Sequence, residues 1–297
     1  MTIVEQDVEA SGFDGARLSA RLVMREGVHP RAPSHDHSPP LVCLPGHLRP
    51  ARTMLPLARA LLERPNGPDR VLLVDYRGRG RSEPRDDAAR YTPTLEGQDL
   101  ISLLDAMNWH SVDVVASAHG GLVVLSTVGT RPALVRRLVL GDIGPELDGV
   151  GLARLRTAAA RHSQPRTWDE AVGVLRGQLG QRFPALSDDD WEDWARHTWR
   201  DSDGRPASDV HPHVFEHFAA IDADRRYPTL WREFGALART PILLLRAEHS
   251  DMLGERTVER MRREHPRLTV ETVDGQGHPP LLHLAALPER IAAFLSD

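Results

Sequence analysis

The sequence predicts an α/β protein: a mostly parallel, doubly wound sheet with a helical insertion between two late strands. Three observations point there. Short apolar runs of strand length recur along the chain, and segments with helical spacing separate them, which is the signature of crossover units in a parallel sheet. The 297 residues suffice for one large core with room for an insertion. The rhythm then breaks between about residues 144 and 238, where the chain is polar, helix-like and rich in tryptophan.

Taken in order, residues 3–8 and 16–24 read as an antiparallel hairpin at one edge. Residues 25–40, with Pro30, Pro33, Pro39 and Pro40, read as an exposed connection. Leu41 to Leu44 is a buried strand closed by Pro45-Gly46, and residues 54–62 are helical. Val71 to Asp75 is the next strand. Residues 95–107 have helical spacing, with Leu95, Leu100, Leu103, Leu104 and Met107 apolar. Strands follow at 112–115 and 135–140, and the last two at 241–245 and 268–273. Helices at 255–264 and 288–295 complete the pattern. The expected division is a core of residues 1–143 and 239–297 with a helical lid of 144–238.

Composition excludes several classes. Hydrophobic content of 40% and charged content of 27% are those of an ordinary globular chain. The net charge of −5 comes from 37 basic and 42 acidic residues mixed along the chain, so no basic stripe marks a nucleic-acid partner. Every basic residue is arginine; without lysine there is neither Schiff-base chemistry nor a P-loop lysine. The single cysteine, Cys43, sits in an apolar strand and reads as a buried thiol, which excludes a disulfide framework. The acidic first ten residues lack an apolar signal region, and no apolar run approaches the roughly 18 residues that span a bilayer. A cytoplasmic protein with no membrane partner is expected; the oligomeric state is not readable.

The stretch Val114 to Leu122 carries the chemistry. A β-branched run, a tight turn, paired glycines and an apolar helix together have the shape of a nucleophile elbow, in which a strained strand-to-helix turn lifts a serine oxygen above the sheet. Aligning Gly120 with the last glycine of that motif places Ala118 at the nucleophile. Alanine carries no nucleophilic atom. Ser117 lies one residue before the tip and is not read as a displaced nucleophile.

These features resemble the α/β-hydrolase family over nearly the whole chain, from about residue 16 to 295, and several motifs match in order. Leu44-Pro45-Gly46-His47 stands where the family has its oxyanion loop. Asp75-Tyr76-Arg77-Gly78-Arg79-Gly80-Arg81-Ser82 matches its D-x-R-G-x-G-x-S turn. Gly141-Asp142-Ile143-Gly144-Pro145 is similar to the strand end that precedes the lid in one subgroup. Asp251 follows the penultimate strand and Gly275-Gln276-Gly277-His278 the last, in the family's order of nucleophile, acid and histidine.

The resemblance implies roles for these residues. His278 would be the proton-transfer base, suited by an unperturbed pKa of about 6.5. Asp251 would orient it, with Asp142 as the rival acid or a support at the lid entry. The backbone N–H groups of His47 and His119 would form the oxyanion hole, and their side chains could also face substrate. Trp191, Trp194, Trp199 and Trp231, four of the five tryptophans of the insertion, are candidate substrate contacts, or else stitch the insertion to itself. Arg79 and Arg81 are read as solvated turn residues rather than anion ligands. His35, His37, His211, His213 and His217 fall short of a four-ligand metal site and are read as loop histidines; no metal or other cofactor is expected.

Three readings of Ala118 stand open. In the first, the pocket is that of a serine hydrolase for an ester or related acyl bond of a small apolar or aromatic substrate, with alanine in place of the nucleophile. The survival of Asp251 and His278 favours it. In the second, alanine is native and a His/Asp pair works without a nucleophile, as in a cofactor-free dioxygenase or a lyase. Ala118-His119-Gly120-Gly121 is similar to the S-H-G-G of cofactor-free dioxygenases of this fold, whose acid matches Asp142. The third is a non-catalytic ligand-binding protein.

Overall fold

The computed structural model describes residues 2–31, 38–161, 163–220 and 227–297; His35 and His37 lie outside these. The chain opens with a long hairpin, β1 (Ile3–Ser11) and β2 (Arg17–Arg25). Then come β3 (Leu41–Leu44), α1 (Leu55–Leu62), β4 (Arg70–Asp75), α2 (Pro93–Ala106), β5 (Val112–Ser117), α3 (His119–Val128) and β6 (Val135–Gly141). The next strand of the main sheet begins only at Ile242, and everything between it and β6 is inserted. That stretch comprises α4 (Gly149–Arg161), α5 (Trp168–Leu179), α6 (Asp188–Thr198), the small hairpin β7 (Arg200–Ser202) and β8 (Arg205–Ala207), α7 (Pro212–Ala219) and α8 (Trp231–Ala236). The chain closes with β9 (Ile242–His249), α9 (Glu255–Glu264), β10 (Leu268–Gly277) and α10 (Leu287–Ser296).

The eight strands of the main sheet run β1-β2-β4-β3-β5-β6-β9-β10. From β4 to β10 every pairing is parallel, and β2 joins β4 antiparallel, so the hairpin forms one edge.

The period of two in each strand sorts side chains to the two faces. Val42, Leu44, Val114, Ala116, Leu138, Leu140, Ile242 and Leu244 pack with α2, α3, α8 and α9. Leu41, Cys43, Val115, Val139, Leu243 and Leu245 point the other way, against α1 and α10. Because both faces are covered, the central strands read as unbroken apolar runs rather than as alternation. The sequence's element assignments follow from that property. Phe234 of α8 and the adjacent Leu237 belong to the main core, while Phe183, Trp191, Trp194 and Trp199 build a separate core within the insertion. Among the described residues no helix is long and apolar enough to cross a membrane.

Two glycines explain how α3 starts so abruptly. A Cβ on Gly120 would sit 2.6 Å from the Leu44 carbonyl oxygen, and one on Gly121 would sit 2.3 Å from Ile143 Cγ2. The first turn of α3 therefore lies directly on the ends of β3 and β6, which sets the elbow against the loops that follow those strands.

Candidate active site

The site forms at the carboxyl ends of the parallel strands, where open α/β sheets gather their functional groups. Ala118 is the residue between β5 and α3, with φ 48° and ψ −119°, a conformation that L-residues other than glycine avoid. Its N–H is tied to the Gly141 carbonyl at 3.0 Å, which fixes the turn. The strand-to-helix turn is thus held strained around a side chain with no oxygen. Ala118, His47, His119 and His278 all line one cavity of about 180 Å³.

His278 follows β10 and is buried. Its Nδ1–H donates to Asp142 Oδ2 at 3.0 Å, with the Asp142 carbonyl at 3.1 Å. Asp142 follows β6, is fully buried, and also holds a positive φ of 53°. Its carboxylate further accepts from the Ala247 N–H at 3.0 Å and from Ser250 Oγ at 2.7 Å. Three donors therefore fix the acid, and the acid fixes the tautomer and ring plane of His278.

The expected partner, Asp251, makes no hydrogen bond to His278. Arg154 of α4 donates to it from Nε at 2.5 Å and from Nη2 at 2.8 Å, and Arg182 approaches at 3.1 Å. Burial pushes its carboxyl up, but the two arginines outweigh that and hold it below the usual carboxylate range. The sequence rule fails because the insertion supplies cations that capture Asp251, while the strained backbone at Asp142 delivers the rival carboxylate to the histidine.

The oxyanion-loop side rests on a buried polar network that sequence reading missed. Arg79, far from being a solvated turn residue, is fully buried. Its Nε donates to the His47 carbonyl at 2.9 Å, its Nη1 to Glu96 Oε1 at 2.6 Å, and its Nη2 to His47 Nδ1 at 3.0 Å. The other oxygen of Glu96 accepts from His119 Nε2 at 2.5 Å. Burial pushes the Glu96 carboxyl up, yet Arg79 and His119 prevail and hold it at about 2. Burial drives His47 well below its ordinary value, and the neighbouring His119 and Arg79 add to the effect, so its ring is neutral at pH 7. An arginine can only donate, so His47 Nδ1 is the acceptor and its ring proton sits on Nε2. His47 and His119 are thus tied to the same ion pair. His47, Glu96 and His119 place ligand-type atoms within 4.8 Å of one another. The guanidinium of Arg79 already supplies the positive charge among them, and these atoms do not fit a metal site. Arg81 is exposed and paired with Asp7.

Of the tryptophans singled out, Trp199 lines the cavity. Trp194 lines a smaller adjoining recess and stacks on Trp191 at 5.4 Å, and Trp191 reaches neither space. Trp231 lies apart, donating to Glu146 at 3.0 Å. α6 is strongly amphipathic and turns Trp191 and Trp194 into the insertion's own core with Phe183. Of the histidines outside the site, His213 pairs with Glu216, and His217 stands 6.2 Å from the His47 ring.

The sequence model of the alpha/beta hydrolase family matches residues 41–294. The chain belongs to this family, and its class is that of a hydrolase. It is 28% identical over 255 residues to a 3-hydroxybutyrate-oligomer hydrolase of Cupriavidus necator, covering 81% of this chain and 82% of that one. It also resembles the crystal structure of an alpha/beta hydrolase from Novosphingobium aromaticivorans, with TM-score 0.83, 29% identity and 98% of each chain covered. An esterase from Exiguobacterium antarcticum shares the fold, with TM-score 0.69 at 17% identity over 98% of this chain and 99% of that one.

Proposed function

We propose that the cavity is the acyl-binding site of a serine-type hydrolase in which Ala118 fills the nucleophile position. One observation carries this reading: the strained turn at Ala118 and the Asp142–His278 hydrogen bond meet at one cavity. With a serine at 118, His278 would take its proton as it attacks an ester or related acyl carbon. Asp142 would orient the base and stabilise its charged form, and the N–H groups of His47 and His119 would hold the oxyanion. As the chain stands, it binds such a substrate without cleaving it. The walls are largely aliphatic, with Leu122, Ile143, Leu152 and Leu175 beside Trp199 and Phe218, which suits a small substrate with an apolar portion. A hydroxyacid ester of the kind named for the Cupriavidus necator relative fits that description. The helical insertion serves as the lid over it.

The test is Ala118→Ser. The variant is expected to react with a fluorophosphonate probe and to hydrolyse members of a broad ester panel, where the parent does neither. A folded variant that neither labels nor turns over any ester overturns the reading.

A second reading gains from one observation. The acid bonded to His278 is Asp142, the position that nucleophile-free chemistry on this fold would use. Under it, the parent chain itself would exchange an acidic substrate C–H for deuterium, and His278→Ala would abolish the exchange.

A further inference from the structure

We infer that Arg49 is a recognition site for a substrate carboxylate, so that the acyl substrates of this cavity are anionic acids bearing a free carboxylate beside the apolar portion. The inference rests on the reading of the cavity as an acyl-substrate site, and it deepens that reading by naming the charge the substrate carries.

Arg49 lies two residues beyond His47 in the loop after β3, where its N–H closes a turn onto the Gly46 carbonyl at 3.1 Å. Its side chain lines both the main cavity and the adjoining recess. Among the described residues the guanidinium makes one hydrogen bond, from Nη1 to Thr198 Oγ1 at 2.6 Å, and it lies 5.8 Å from the Trp194 ring centre. Among the described residues it faces no carboxylate within ion-pair distance. The neighbouring arginines are different: Arg52 pairs with Asp209, Arg77 with Asp99, Arg79 with Glu96 and Arg154 with Asp251.

The contrast matters because an isolated charge inside a protein is costly unless something pairs with it. Desolvation alone pulls the Arg49 guanidinium down to about 10, which leaves it charged at pH 7. The fold thus maintains a half-buried cation on the cavity wall. Among the described residues the only other guanidinium on that wall, Arg154, is neutralised by Asp251, and no Asp or Glu side chain lines the cavity. A carboxylate entering the cavity would find in Arg49 a planar donor fork with free N–H groups. The position of Arg49 in the same short loop as His47 places that carboxylate near the acyl group rather than at the far end of the lid.

The experiment reads binding by the chain with Ala118, which needs no turnover. Tryptophan fluorescence and calorimetry compare each of three acids with its methyl ester: the linear ester dimer of 3-hydroxybutyric acid, butyric acid and hexanoic acid. The parent is expected to bind at least one acid about tenfold or more tightly than its ester, the worth of hydrogen bonds to a charged group. Arg49→Gln should erase that preference while leaving ester affinity in place, and Arg154→Gln should keep it. Equal affinity for every acid and its ester in the parent overturns the proposal, and that comparison needs no variant to fold. So does a preference that persists in folded Arg49→Gln or vanishes in Arg154→Gln. An acid preference in the parent together with an inert Ala118→Ser would overturn the hydrolase reading alone. Ester hydrolysis by Ala118→Ser with no acid preference would overturn this one alone.

Discussion

Asp142 and His278 are 136 positions apart in sequence and meet at 3.0 Å through Oδ2 and Nδ1, whereas Asp251, which follows β9, is held by Arg154. In the Ala118→Ser background, Asp142→Asn is therefore expected to cost more rate than Asp251→Asn. Loss of the orienting acid in a triad lowers kcat by about 10⁴. Steady-state kinetics on the two double variants give the ranking, and a greater loss for Asp251→Asn would reassign the acid.

The Glu96 carboxyl gives a pH-dependent signature. Its pKa stands at about 2 in the folded chain against 4.5 when free, so folding favours its ionised form. The stabilisation is complete above about pH 5 and is lost as pH falls through 4.5 towards 2. Glu96→Gln should cost on the order of 3 kcal/mol at neutral pH, since it also leaves the Arg79 cation buried without its partner. Denaturant unfolding of both forms from pH 7 down to pH 3 should show the gap narrowing with acidity. A gap that is constant across this range would contradict the assignment.

The close seat of α3 predicts a backbone effect. Gly120→Ala places a methyl 2.6 Å from the Leu44 carbonyl oxygen and 2.8 Å from Leu44 Cβ, so the helix start and the end of β3 must separate. A loss of about 1–3 kcal/mol is expected, the usual range for overpacking. The elbow should loosen too, which in the Ala118→Ser background would lower probe labelling. Thermal melts and labelling rates measure both; an unchanged melting temperature would refute the seat described.

Ligand binding should be read by some tryptophans and not by others. Trp199 lines the cavity and Trp194 lies beside Arg49, while Trp231 is held against Glu146 away from it. Quenching on binding should survive Trp231→Phe and fall strongly in Trp199→Phe. Loss of the signal in Trp231→Phe alone would move the binding site.

The strands and their order of functional loops were legible because each central strand is buried on both faces and each motif is local. His278, His47 and His119 all line the cavity. The choice of acid was not legible. It depends on which carboxylate two inserted arginines capture, and that capture links Arg154 to a residue 97 positions away. Glu96 was equally silent: in the first turn of α2 an acid reads as a partner for the helix dipole, and only the fold brings it to Arg79 and His119. The amphipathic pattern of α6 marked Trp191 and Trp194 as inward, but not which interior they would join.

Cys43 occupies the middle of β3 with its side chain sealed between sheet and helices, and burial raises its thiol far above the ordinary range. The sequence contains no other thiol and no lysine amine. Electrophilic reporters that usually suffer from bystander labelling therefore meet an unusually quiet background in this chain. A serine installed at position 118 would stand out against it, so a single covalent adduct, mapped by mass spectrometry, could be read directly as engagement of the elbow.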